Sequence, residues 1–244
     1  MRHLTAHDIT HIWERGQGRH SLDRALLLLS PALPEMSWDE LATLTVGQRN
    51  TCLFILRTRT LGSALQGVAA CPACACRVEF SLDAGDLCKA ERMSPVEAEQ
   101  SFSMGSIEVL FRPLTSRDMA SVAHLGSVAT ARARLIQNCV LTARDGEQHL
   151  RPTDLPEDVI AALAERVAEG DPQAEFLLSL DCPACAHQWP LLFDIASFFW
   201  KEISAEAKRL LREVHALARA YGWPEQDILS MSAARRQVYL GMLS

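Results

Sequence analysis

The sequence predicts an α+β fold that is mainly helical, and three observations point to it. A long apolar stripe runs through the C-terminal segment, the tetrapeptide Cys-Pro-Ala-Cys occurs twice, and strand-like alternation follows each copy. The copies are Cys71-Pro72-Ala73-Cys74 and Cys182-Pro183-Ala184-Cys185, with 107 residues between them. Arg77 to Asp83 alternates after the first turn, and Gln188 to Asp194 stands at the same offset from the second. Leu82 then aligns with Phe193 and Asp83 with Asp194, giving two similar units of a turn leading into a strand.

Zinc prefers four tetrahedral ligands, and two Cys-x-x-Cys turns supply four thiolates with the right reach. Proline after the first cysteine fixes its own φ and stiffens each turn. Cys71, Cys74, Cys182 and Cys185 are therefore expected to hold one structural Zn²⁺ in a zinc ribbon. Disulfides, a redox pair and core thiols are the competing explanations. Met1 to Gly16 carries His, Asp and Glu, unlike the secretory leader that disulfides would call for. A thioredoxin-like redox site uses one such motif in a βαβ setting, not a matched pair. Cys76 and His187 follow the two turns at equal offsets and are candidate extra ligands, although four thiolates already complete a structural site. Cys52 and Cys139 lie in apolar helical patterns and read as buried thiols; Cys88 has no assigned role.

The elements follow in order. Leu4, Ile9, Ile12 and Trp13 make residues 1–16 a short helix, with His3, His7 and His11 one turn apart on a polar face. Ser21 is placed to cap a helix through Leu29, ended by Pro31 and Pro34. Ser37 with Glu40 forms a capping box for a short helix. Leu44 to Gly47 reads as a turn, and Gln48 to Leu65 as a helix reaching the first knuckle. The chain is less regular from Lys89 to Gln100. Ile107 to Phe111 is a strand, with Phe102 and Met104 in its partner. Ser116 or Asp118 caps the next helix, and Val128 to Ala143 forms another. Glu157 to Glu169 is a helix with proline and acids at its start. Ala174 to Leu180 is a strand entering the second knuckle.

The tail carries the clearest pattern. Ile203, Ala207, Leu210, Leu211, Val214, Leu217, Ala218 and Tyr221 form one apolar stripe, with Ser204 in the helix's first turn and Gly222 ending it. Trp223-Pro224 opens a short helix to Leu229, and Ser232 caps the last one. The layout is an N-terminal helical region over 1–64, a ribbon from 65–90 and 178–200, an α/β insertion over 91–177, and a helical tail over 201–244. Phe193, Phe198, Phe199 and Trp200 concentrate aromatics where ribbon meets tail. They read as an exposed apolar patch for a partner or as a seal between the two parts.

Composition and missing motifs narrow the function classes. The formal charge is −6, and only three of the 24 basic residues are Lys. An acidic surface repels a phosphate backbone unless a basic patch is concentrated somewhere, and the knuckles have only Arg77 beside them. The apolar runs are too short to span a bilayer, so no membrane role is expected and the cytoplasm is the expected location. No phosphate-binding loop, dinucleotide fingerprint, nucleophile elbow or His-Glu-x-x-His stands in the chain. Four cysteines also close the position that a catalytic zinc keeps open. Neither catalysis nor a small-molecule substrate is expected.

Several short motifs carry a resemblance. They are Trp13-Glu14-Arg15-Gly16, Asp23-Arg24-Ala25-Leu26, Thr45-Val46-Gly47-Gln48-Arg49-Asn50 and the two knuckles. Phe193-Asp194-Ile195, Leu211-Arg212-Glu213-Val214-His215, Tyr221-Gly222-Trp223 and Ile228-Leu229 complete the set. Together they resemble the T-even-type phage baseplate family of baseplate proteins and baseplate hub assembly chaperones, which contractile phages and phage-like contractile injection systems carry. The resemblance implies a non-enzymatic protein-binding factor that assists baseplate hub assembly, either as a departing assembly factor or as a subunit retained in the particle, with baseplate or tail-hub proteins as partners. Phe193, Phe198, Phe199, Trp200, Tyr221 and Trp223 are the expected contact residues. The competing class is a zinc-ribbon nucleic-acid-binding or regulatory protein.

Overall fold

The structure, a computed structural model, describes residues 1–87 and 97–243. Four helices open it: α1 (Ala6–Gly16), α2 (Ser21–Leu29), α3 (Trp38–Thr43) and α4 (Val46–Leu61). Thr5, Ser37 and Thr45 cap α1, α3 and α4. Each hydroxyl accepts from the backbone N–H three residues on, while Asp8, Glu40 or Gln48 reaches back to the cap's own N–H. This reciprocal pairing satisfies two donors that a helix start otherwise leaves orphaned. It also corrects the turn expected over Leu44 to Gly47, because α4 already begins at Val46. The cap of α2 is His20, whose ring nitrogen accepts from the Leu22 N–H, rather than Ser21.

The helix expected to reach Leu65 stops at Leu61, where Gly62 takes φ 91. Strand β1 (Ala64–Ala70) follows and pairs antiparallel with β2 (Arg77–Asp83), from Ala64↔Asp83 to Ala70↔Arg77. Its inward positions Leu65, Gly67 and Ala69 are mostly small, so the alternation is faint in the sequence. Gly67 is small for a reason: a Cβ there would stand 2.2 Å from the Phe80 ring. A short helix α5 (Ala84–Leu87) ends this part. Cys88, the start of the irregular stretch expected from Lys89, and the boundary placed at 90/91 lie outside the described residues.

The insertion forms an antiparallel sheet of β3 (Gln100–Met104), β4 (Ile107–Phe111), β5 (Val140–Asp145) and β6 (Gln148–His149), in that order. Helices α6 (Ser116–Val122), α7 (Val128–Cys139) and α8 (Glu157–Gly170) belong to the same segment. Thr115 caps α6 and Asp118 completes its box, in place of Ser116 or Asp118 acting alone. The helix expected through Ala143 ends at Cys139. Val140 instead starts β5, whose backbone satisfies the free edge of β4. Val109, Phe111, Cys139, Val140, Leu155, Val159 and Leu163 give this segment a core of its own.

A second hairpin, β7 (Leu177–Asp181) with β8 (Gln188–Leu192), returns the chain to the helices. The tail then starts earlier than its stripe indicates. Helix α9 runs unbroken from Ile195 to Tyr221, capped by Asp194 at the Ser197 N–H, so Ser204 is well inside it and 200/201 is not a break. Gly222 ends it at φ 69 in the left-handed region that glycine adopts freely. Helices α10 (Glu225–Ser230) and α11 (Ala233–Gly241, capped by Ser232) complete the chain. Helix α9 packs against α1, α2, α4, α10 and α11, and its buried residues meet Phe54, Phe176 and Phe193 in the main core. Arg57 joins α4 to Glu202 of α9 through two hydrogen bonds of 3.0 and 2.7 Å. Among the described residues, no helix is long and apolar enough to cross a membrane.

Candidate metal centre

Each hairpin carries a Cys-Pro-Ala-Cys turn at its tip, and the two turns are built alike. In the first, the Cys71 N–H donates to the Cys76 carbonyl at 2.9 Å, and the Ala75 N–H to the Cys71 carbonyl at 2.8 Å. In the second, the Cys182 N–H donates to the His187 carbonyl and the Ala186 N–H to the Cys182 carbonyl, both at 2.9 Å. Ala75 and Ala186 both take left-handed backbone, at φ 60 and φ 56. These two alanines are part of the site's construction, and the signal for them was in the sequence. The repeat is the pentapeptide Cys-Pro-Ala-Cys-Ala, one residue longer than the metal motif alone.

The bases of the hairpins are fixed by aromatic packing. Phe54 of α4 meets Phe176 with ring centroids 4.6 Å apart and Phe193 at 6.0 Å, and Phe193 meets Phe80 of β2 at 6.5 Å. Asp83 and Asp194, at equal offsets from the two turns, accept backbone N–H bonds from Gly85 and Ser197 at the starts of α5 and α9. With their bases held, the hairpins bring their tips together.

The four sulfurs of Cys71, Cys74, Cys182 and Cys185 all lie within 4.8 Å of one another, the one such group among the described residues. Cys71 stands 3.7 Å from Cys185, and Cys74 stands 3.6 Å from Cys182. Each short pair crosses between hairpins and joins a buried first cysteine to an exposed second one. A disulfide needs about 2.05 Å between sulfurs, so these are thiols. A tetrahedron with metal–sulfur bonds of about 2.3 Å has edges of about 3.8 Å, which the two short pairs match. The four cysteines named from the sequence are thus the four that the fold assembles, and they could hold one metal ion.

The proton-holding behaviour of the cluster follows from this crowding. Burial works against ionising Cys182, but the Ala184 and Cys185 backbone N–H groups and the Cys74 and Cys185 thiols hold it down at about 6. The Cys76 backbone N–H draws Cys74 down, while the Cys185 and Cys182 thiols outweigh it and push Cys74 up to about 12. One sulfur accepts while a neighbour donates. A divalent cation would displace these shared protons, since thiolate is the ligand form.

The other candidates stand apart. His187 is exposed and its ring stacks on Trp189 with centroids 6.1 Å apart. Cys76 packs beside Cys71 and Cys182 but is not one of the four. Cys139 is buried in the insertion core and Cys52 packs on the main core. His7 and His11 stack at 6.2 Å on an exposed face. Of the aromatic contact candidates, Phe193, Phe199 and Trp200 are buried in the main core, which corrects the exposed-patch alternative for them in favour of the seal. Phe198, Tyr221 and Trp223 are half-buried. Tyr221 stacks on Trp223 at 4.4 Å, and both meet Tyr239 of α11.

A family model described as "T4 bacteriophage base plate protein" matches residues 35–200 of this chain. No curated protein and no solved structure matches it.

Proposed function

The chain belongs to the T4 bacteriophage base plate protein family, and from that premise we propose that it is a non-enzymatic, zinc-stabilised factor assisting assembly of a contractile tail's baseplate hub. The observation that carries this is the extent of the match. Residues 35–200 include α3, α4, both cysteine hairpins, the whole insertion and the start of α9. The family relation therefore covers the metal-site scaffold itself. Baseplate or tail-hub proteins are the proposed partners, and the producing cell's cytoplasm is the proposed place of action.

The four-thiol set supports a structural ion, because thiolates filling all four positions leave none open for substrate or water. Four thiolates at tetrahedral spacing suit zinc or iron, and zinc, which closed structural four-cysteine sites hold, is the ion proposed here. Half-buried Phe198, Tyr221 and Trp223 remain available for contact with a partner. Capture of the tagged protein from producing cells, with nuclease treatment and mass spectrometry, tests the function. Recovery of baseplate subunits from lysate but not from finished particles is the expected result. Recovery from both would make the protein a retained subunit, and loss of all partners on nuclease treatment would contradict the proposal.

A further inference from the structure

Cys76 is a fifth thiol at the metal centre. It sits two residues past Cys74, and its carbonyl accepts the Cys71 N–H that closes the first knuckle. Its side chain is half-buried and packs on the small cluster of Cys71, Val78 and Cys182. Its thiol makes a weak hydrogen-bonding contact to the Arg77 carbonyl at 3.7 Å. The equivalent place in the second knuckle holds His187, which turns to Trp189. Only the first hairpin therefore brings an additional sulfur to the site.

We propose that Cys76 is an oxidation site that resolves peroxide damage to the metal-bound thiolates by forming a disulfide with Cys182. This rests on the metal-site reading above. With an ion bound, Cys71, Cys74 and Cys185 are committed as ligands, and Cys76 is, among the described residues, the thiol at the cluster left free to attack. The oxidant is a hydroperoxide, with hydrogen peroxide as the simplest member. The Cys182 thiolate, released from the ion, attacks one peroxide oxygen; an S–O bond forms, the O–O bond breaks, and the hydroxide that leaves takes a proton from solvent to become water. Cys76 then attacks the Cys182 sulfur; an S–S bond forms, the S–O bond breaks, and the leaving hydroxide takes the Cys76 proton as water. In total one thiolate and one thiol lose two electrons, one hydroperoxide gains them, and one proton is taken from solvent. Because Cys76 is on one hairpin and Cys182 on the other, the disulfide keeps the tips joined when the ion loses a ligand.

The test treats the full-length protein, purified under reducing conditions, with one equivalent of hydrogen peroxide. Remaining thiols are alkylated, and peptides are mapped without reduction, beside a Cys76→Ser variant. A peptide joining Cys76 to Cys182 is expected as the main disulfide, with metal content restored after a thiol reductant and added zinc. Cys76→Ser is expected to bind the same metal before oxidation and to recover several-fold less of it afterwards. Disulfides among the four ligands with Cys76 alkylated as before would overturn the proposal. Loss of metal from untreated Cys76→Ser would also overturn it, by making Cys76 a ligand. Wild-type protein that carries no metal contradicts the metal reading instead, and the cross-link is still read in that sample.

Discussion

Ala75 and Ala186 hold left-handed backbone one residue after the second cysteine of each knuckle, at φ 60 and φ 56. An L-residue there costs about 1–2 kcal/mol, and glycine's extra freedom in the unfolded chain offsets about 0.4–1 kcal/mol of any relief. Ala75→Gly should therefore leave the denaturation midpoint unchanged or raise it slightly, whereas Ala75→Val should lower it. A clear loss with glycine would contradict this account of the turn. Cys182→Ser should remove the metal and cost at least about 4–5 kcal/mol, the entropy of releasing a loop of roughly 100 residues. Unchanged metal content and melting temperature in that variant would count against it. The four cysteines that the fold brings together were legible because two Cys-x-x-Cys turns have the spacing of a possible metal site. Burial of Phe193, Phe199 and Trp200 was not, since aromatic density reads the same for a seal and a docking patch.

Helix α9 depends on one close approach to α1. A Cβ on Gly16 would stand 2.2 Å from the Trp200 ring, and the Arg24 guanidinium covers that ring at 4.6 Å from its centroid. Arg24 also donates to the Gly16 carbonyl at 3.0 Å, closing the group. Trp200→Ala should cost about 3–5 kcal/mol, the range for removing a large buried aromatic. Thermal or denaturant unfolding measures it, and wild-type stability with lost partner binding would return Trp200 to the docking role. Elements with strong periodicity or paired caps, such as α3, β4 and the main length of α9, could be read directly. Strands β1 and β5 could not. Leu65, Gly67 and Ala69 give β1 too little apolar contrast, and Val140 fits the end of α7 as well as a strand until the edge of β4 is there to pair with it.

Across the whole molecule, the chain places its insertion between two halves of one thiol cluster. Aromatic packing around Phe54 fixes the hairpin bases, and the four sulfurs meet at the tips. The insertion has a core of its own, so the proposed metal clamp would act to hold that unit against the helices. A structural zinc contributes about 10–16 kcal/mol apparent in small peptides, against a whole-domain stability of about 5–15 kcal/mol. Its removal should therefore be felt globally. The most direct measurement is metal content by mass spectrometry on protein purified without added metal, paired with melting before and after a strong chelator. The account predicts one zinc per chain and a large fall in melting temperature, reversed by zinc. Metal-free protein that melts at the same temperature with and without chelator would contradict it.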